Sequence, residues 1–164
     1  MEFRSIKGSY DILPNDADRW QRVETRVREF IIRAGYSEIR TPAFERTELF
    51  TRSVGEDSDV VSKEMYSWID QGGTGLTLKP EYTASVIRSY IQHNLGAKSP
   101  LTKLNYMDNL FRRERPQKGR YRQFRQYGIE AIGSPHPEQD AEIIAIAYEL
   151  LVDCLLYTSD AADE

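Results

Sequence analysis

Two β-prone runs, Thr102 to Phe111 and Tyr121 to Ile132, stand on either side of a loop broken by Pro116 and Gly119. The chain has to turn back on itself there, so the loop becomes the tip of a long antiparallel hairpin. The tip is unusual in charge. Phe111 to Arg125, FRRERPQKGRYRQFR, holds the basic residues Arg112, Arg113, Arg115, Lys118, Arg120, Arg122 and Arg125 against one acid, Glu114. The chain as a whole is acidic, at −4, so this positive charge is a local feature that calls for a local partner.

The remaining segments supply strands and helices that can pack on this hairpin. Met65–Asp70 and Gly75–Pro80 flank a Gly72-Gly73 turn and predict a second hairpin. Within Gly35 to Glu45 the apolar residues sit in an extended stretch stopped by Pro42, which belongs at a strand end or sheet edge. Asn15 to Ala34 is predicted helical, because Trp20, Val23, Val27, Phe30, Ile31 and Ala34 share one face; Asn15 or Asp16 would cap it and Gly35 would end it. Thr83–Asn94, with Glu81 and Thr83 at its entry, and Pro137–Val152 are predicted as further helices. Strands joined by hairpins argue for an α+β fold, a mostly antiparallel sheet with flanking helices.

With 40% hydrophobic residues over 164, the chain has the balance of a globular domain with a real core. It has no apolar run of membrane-spanning length and no apolar leader near its start, which points to a cytoplasmic protein. The single cysteine, Cys154, excludes an intrachain disulfide framework or a cysteine-rich zinc site. His93 and His136 have no ligand-like partners at metal spacing, so no metal site is expected.

Alternate strand residues point the same way, so Phe124, Gln126, Gly128 and Glu130 share a face. An aromatic plane, an amide, a gap and a carboxylate suit a ligand floor better than a core or a solvated face. Arg112 and Glu114 share a face of the preceding strand, either as part of the same site or as a cross-strand ion-pair ladder. Arginines on a Gly/Pro-broken loop suit a triphosphate, a nucleic acid backbone or plain solvent, and spacing does not choose among them.

These residues resemble a known family. GYSEIRTPAFE (Gly35–Glu45) is similar to the first motif of class II aminoacyl-tRNA synthetases, and FRRE (Phe111–Glu114) with RYRQF (Arg120–Phe124) to the second. KGSYDILP, DVVSKEMY, LTLKPEYTA and RERPQKGRYRQFRQYGIE resemble the histidyl branch, and the likeness runs from about Gly8 to Leu151. The resemblance implies that Arg112 meets the α-phosphate of ATP as the catalytic charge stabiliser, Arg120 the γ-phosphate, Phe124 the adenine, and Glu114 the adenine side or the tRNA end. It implies that Glu81, Thr83 and Gln126 take the α-amino group of histidine and Glu130 its imidazole. It further implies Mg²⁺ arriving with ATP, the acceptor end of tRNA(His) as partner, a homodimer, and a two-step reaction through histidyl-adenylate.

Two departures accompany the likeness. Tyr82 stands where a small residue or glycine is more usual, and Cys154–Glu164 leaves the family pattern and reads as a non-native tail. Residues 1–153 are accordingly read as the leading part of a class II catalytic domain. The third motif, the histidine-specific segments and the anticodon-binding domain do not occur in the sequence, so the polypeptide alone is expected to be inactive. Two other readings stand beside this one. A regulatory paralogue like that of ATP phosphoribosyltransferase would sense histidine without needing the triphosphate arginines, and a free nucleic-acid-binding module would rest on the basic loop alone.

Overall fold

The computed structural model describes residues 2–54, 64–113, 115 and 117–153. The long hairpin forms as expected. β5 (Thr102–Phe111) pairs antiparallel with β6 (Gln123–Ile132) in one unbroken ladder, Thr102 opposite Ile132 and Phe111 opposite Gln123. Its flank carries β1 (Ser37–Glu38), which runs parallel to β5 and gives a three-stranded sheet of order β1-β5-β6.

The stretch Gly35–Glu45 breaks around Pro42, as expected. It is shared between two sheets: β1 joins the first, whereas β2 (Phe44–Arg46) starts after Pro42 and pairs with β4 (Gly75–Leu78) in a second. Proline fixes its own φ and disfavours helical geometry in the residue before it, so the chain crosses between the sheets at Pro42. β3 (Tyr66–Ile69) completes the second sheet, of order β2-β4-β3. Between β2 and β3 lies a helix that the sequence reading did not assign, α2 (Thr47–Val54).

α1 runs Pro14–Arg33. It starts one residue before the expected caps, with Leu13 at the N-cap making no side-chain bond. Pro14 replaces that cap: it has no N–H to leave unsatisfied and its φ is preset for the first turn. The expected glycine stop does form. Gly35 has φ +87°, its N–H donates to Ile32 and that of Tyr36 to Ile31, which closes the last carbonyls. Val27 and Ile31 of α1 then meet Ile146 and Leu150 of α4 (Pro137–Asp153) over one face of the first sheet, against Met107, Ile129 and Ala131. On the opposite face α3 (Thr83–Gln92) sets Val86 among Leu104, Tyr106 and Leu110.

Lys79 ties the sheets together. Its N–H donates to the Ala43 carbonyl beside β2, and its own carbonyl accepts from Phe111 of β5 at 3.0 Å. Among the described residues no helix is long and apolar enough to cross a membrane.

Candidate active site

β6 places Phe124, Gln126, Gly128 and Glu130 directly opposite Leu110, Asp108, Tyr106 and Leu104 of β5. Directly paired residues share a face, so the floor is eight residues wide rather than four. α3 covers the Leu104 end of it through Tyr82 and Val86, and Phe124 packs against the same apolar group.

Glu81, Thr83 and Glu130 converge. The Thr83 hydroxyl donates to Glu130 Oε1 at 2.7 Å. Glu81 accepts from the Ala84 N–H at 3.0 Å and so caps α3 with its own carboxylate. Burial pushes the Glu81 carboxyl above its ordinary value, and the charge of Glu130 adds to this; the Ala84 and Thr83 amides and the Arg112 charge pull it back. Two carboxylates this close favour any cation that comes between them. Glu81 and Thr83 also line a groove of about 1310 Å³ between α2 and α3, together with Leu49, Ile87, Arg88 and Ile91.

At the loop end stands Arg112, whose N–H still donates to the Arg122 carbonyl. Its Nε donates to the Pro80 carbonyl at 2.9 Å and its guanidinium carbon lies 5.2 Å from the centre of the Phe124 ring. The Pro80 carbonyl links it to the Glu81 side of the site, so Arg112, Phe124, Glu81, Thr83 and Glu130 form one constellation. Gln126 sits in the middle of the floor, two residues from both Phe124 and Gly128. Arg120 is not part of the cluster: it is exposed at the loop tip, bridged to Gln117. Glu114 and the tail 154–164 lie outside the described residues.

Tyr82, which stands where a small residue or glycine is more usual, belongs to the core. It is buried in the core, accepts a hydrogen bond from the Thr41 N–H at 3.0 Å and stacks on Tyr106 with centroids 4.0 Å apart. The Lys79 ammonium lies 4.2 Å from the centre of its ring and bonds Asp108 at 2.7 Å. Sequence reasoning missed Lys79, Tyr106 and Asp108. Alternation along β5 groups Tyr106 with Asp108, but only the hairpin register shows which face of β6 they meet.

A sheet of this topology, with helices on both faces and an arginine where its long hairpin opens, is the architecture of class II aminoacyl-tRNA synthetase catalytic domains. An apo histidyl-tRNA synthetase from S. aureus superposes with a TM-score of 0.78 at 38% identity, over 93% of this chain and 35% of that one. The family model described as histidyl-tRNA synthetase matches residues 8–158. The chain belongs to the histidyl-tRNA synthetase family. A histidine–tRNA ligase of Chloroherpeton thalassium is 53% identical over 151 residues, 92% of this chain and 35% of that protein. This chain therefore spans about a third of the length of such relatives. A Bacillus halodurans structure described as an ATP phosphoribosyltransferase regulatory subunit/histidyl-tRNA synthetase has a TM-score of 0.74 at 28% identity, covering 91% of this chain and 37% of that one.

Proposed function

We propose that residues 1–153, with the family match running on to residue 158, are the leading part of the catalytic domain of a cytoplasmic histidine–tRNA ligase. The observation that carries this reading is the Thr83–Glu130 contact beside Glu81. It offers a cationic amino acid two carboxylates at one end of a floor whose other end carries Arg112 over Phe124. Glu81, Thr83 and Gln126 take the α-amino group of histidine, and Glu130 accepts from the imidazole. Phe124 stacks with adenine, Arg112 meets the α-phosphate, Arg120 the γ-phosphate, and Glu114 the adenine side or the tRNA end.

The chemistry is positioning and charge stabilisation. The histidine carboxylate attacks the α-phosphate and pyrophosphate leaves; the terminal ribose hydroxyl of tRNA(His) then attacks the acyl carbon and AMP leaves. Arg112 answers the negative charge that builds on the α-phosphate in the first step. Mg²⁺ enters with ATP as part of the substrate.

The test is histidine-dependent pyrophosphate exchange by the full-length protein that carries this segment; no exchange ends the reading. Glu130→Gln in that protein is expected to weaken histidine binding about 10- to 100-fold, the worth of a hydrogen bond to a charged group, and to leave ATP binding within about twofold. Calorimetry with each ligand separately checks this, and equal losses for both would remove Glu130 from its role. The regulatory reading, favoured by the likeness to the Bacillus halodurans protein, keeps Glu81, Thr83 and Glu130 and needs no catalysis. The same exchange assay separates the two.

The full-length protein is further proposed to be a homodimer through α1 and the strand region around Pro42. The buried half of α1, Val27 and Ile31, is occupied by the chain's own core, so the contact falls to exposed residues such as Ile32 and Phe44. Ile32→Asp with Phe44→Asp is expected to give monomers in sedimentation. A wild-type protein that is already monomeric would contradict this.

A further inference from the structure

KGSYDILP, Lys7 to Pro14, has no part in the roles above, yet it lies against the tip of the long hairpin. The backbone N–H of Arg122 donates to the Gly8 carbonyl at 2.7 Å. The Tyr10 ring meets the Tyr121 ring with centroids 4.8 Å apart and planes inclined at 56°. Two successive residues of the hairpin are therefore held by a segment from the start of the chain.

The contact falls where the ladder lacks a bond. Phe111–Gln123 is its last pair, and beyond it the Arg112 N–H donates to the Arg122 carbonyl. In a regular antiparallel ladder such a pair exchanges both bonds. Here the returning N–H, that of Arg122, goes to Gly8 instead. Arg122 thus joins two neighbours: its N–H binds the N-terminal segment and its carbonyl holds the Arg112 backbone. The Arg112 side chain is fixed separately, on the Pro80 carbonyl. Tyr121, against Tyr10, is the residue between Arg120 and Arg122. A tight turn aims the Gly8 carbonyl. The Ser9 N–H donates to the Ile6 carbonyl at 2.9 Å, and Gly8, third in that turn, has φ +93°. Glycine takes this conformation without the strain that a side chain would bring.

We propose that Gly8 and Tyr10 are positioning residues for the triphosphate end of the site: they form a strap that fixes the base of the basic loop and so the places from which Arg112 and Arg120 meet phosphate. Arginines on a loop meet phosphate oxygens in one geometry only if the base of the loop is held. The amino-acid end of the floor is held by other means, the Thr83–Glu130 bond and the packing of α3, so the strap acts on ATP and not on histidine. This rests on the synthetase reading of the same site.

The test uses the full-length protein in histidine-dependent pyrophosphate exchange. Tyr10→Ala takes the ring away from Tyr121, and Gly8→Ala puts a side chain where φ is positive. Each is expected to raise the KM for ATP about tenfold, well inside what a misplaced group can cost, and to change the KM for histidine less than about twofold. Tyr10→Phe keeps the ring and is expected to restore the wild-type KM for ATP. Tyr10 is 47% exposed, so the melting temperature of both Tyr10 variants is expected to match wild type. An unchanged ATP KM in Tyr10→Ala, equal rises for histidine and ATP, or no recovery in Tyr10→Phe overturns the proposal while leaving the synthetase reading intact. A wild-type protein without histidine-dependent exchange overturns both.

Discussion

Arg112→Ala in the full-length protein is expected to lower histidine-dependent pyrophosphate exchange by a factor of about 10² to 10³ or more, the usual loss when one preorganised donor to a developing negative charge is removed. The argument begins with where the side chain is held. Nε is committed to the Pro80 carbonyl, and the guanidinium plane is carried above Phe124. A fork anchored at Nε presents its two terminal nitrogens in a fixed direction, which is the form of an arginine that meets a phosphoryl group bidentately. Arg112→Lys is expected to recover little, because a lysine has one point charge and no Nε to hold the Pro80 carbonyl. Were Arg112 only a packing element on Phe124, its loss would cost about 0.5–1 kcal/mol of stability and leave the rate alone. Exchange rate and melting temperature measured on the same two variants separate these outcomes. A near-normal rate in Arg112→Ala removes the residue from the reaction.

Much of this site could be read in the sequence because it lies on one strand. Phe124, Gln126, Gly128 and Glu130 need only the two-residue period of β6 to be grouped. The other half of the floor needed the hairpin register, and the loop hides it. Between the Phe111–Gln123 pair and the Gln117–Arg120 bridge there are five residues on one side and two on the other. Counting back from the tip would set Tyr106 opposite Ala131 and turn every side chain of β5 to the wrong face. The true register sets it opposite Gly128. The asymmetry has a visible cause: the Arg112 N–H still donates to the Arg122 carbonyl, but the Arg113 N–H turns to the Glu64 carbonyl and the Arg122 N–H to the Gly8 carbonyl, so both strands find partners outside the hairpin before its tip. A partner 49 positions away in sequence leaves no local signal. The same holds for Gly35–Glu45, where one extended run serves two sheets, and for α2, whose eight residues are too few for a clear helical period.

The largest stability effect is expected at a pair that the sequence did not single out. Asp108→Ala should destabilise the folded protein by about 3–5 kcal/mol, the cost of leaving a buried charge without its partner. Lys79 has a side chain only 1% exposed, held by Asp108 Oδ2 at 2.7 Å, by the Thr41 carbonyl at 3.4 Å and by the face of Tyr82. Without Asp108 the ammonium keeps only a long carbonyl contact and an aromatic face. The reverse change is unequal. Asp108 is 37% exposed and its other oxygen already accepts from the Asn109 N–H, so after Lys79→Met it turns to solvent and stays satisfied. Methionine fills nearly the same volume, and the backbone bonds of residue 79 to Ala43 and Phe111 do not depend on its side chain. Lys79→Met is therefore expected to cost about 1 kcal/mol, no more than a typical point substitution. The double variant, with no charge left to bury, should resemble Lys79→Met and be more stable than Asp108→Ala alone. Denaturant midpoints of the three variants against wild type measure the order directly. If the two single variants are equally destabilised, the pair is not held by the unequal burial of its two charges, and the Lys79 ammonium has another source of stabilisation.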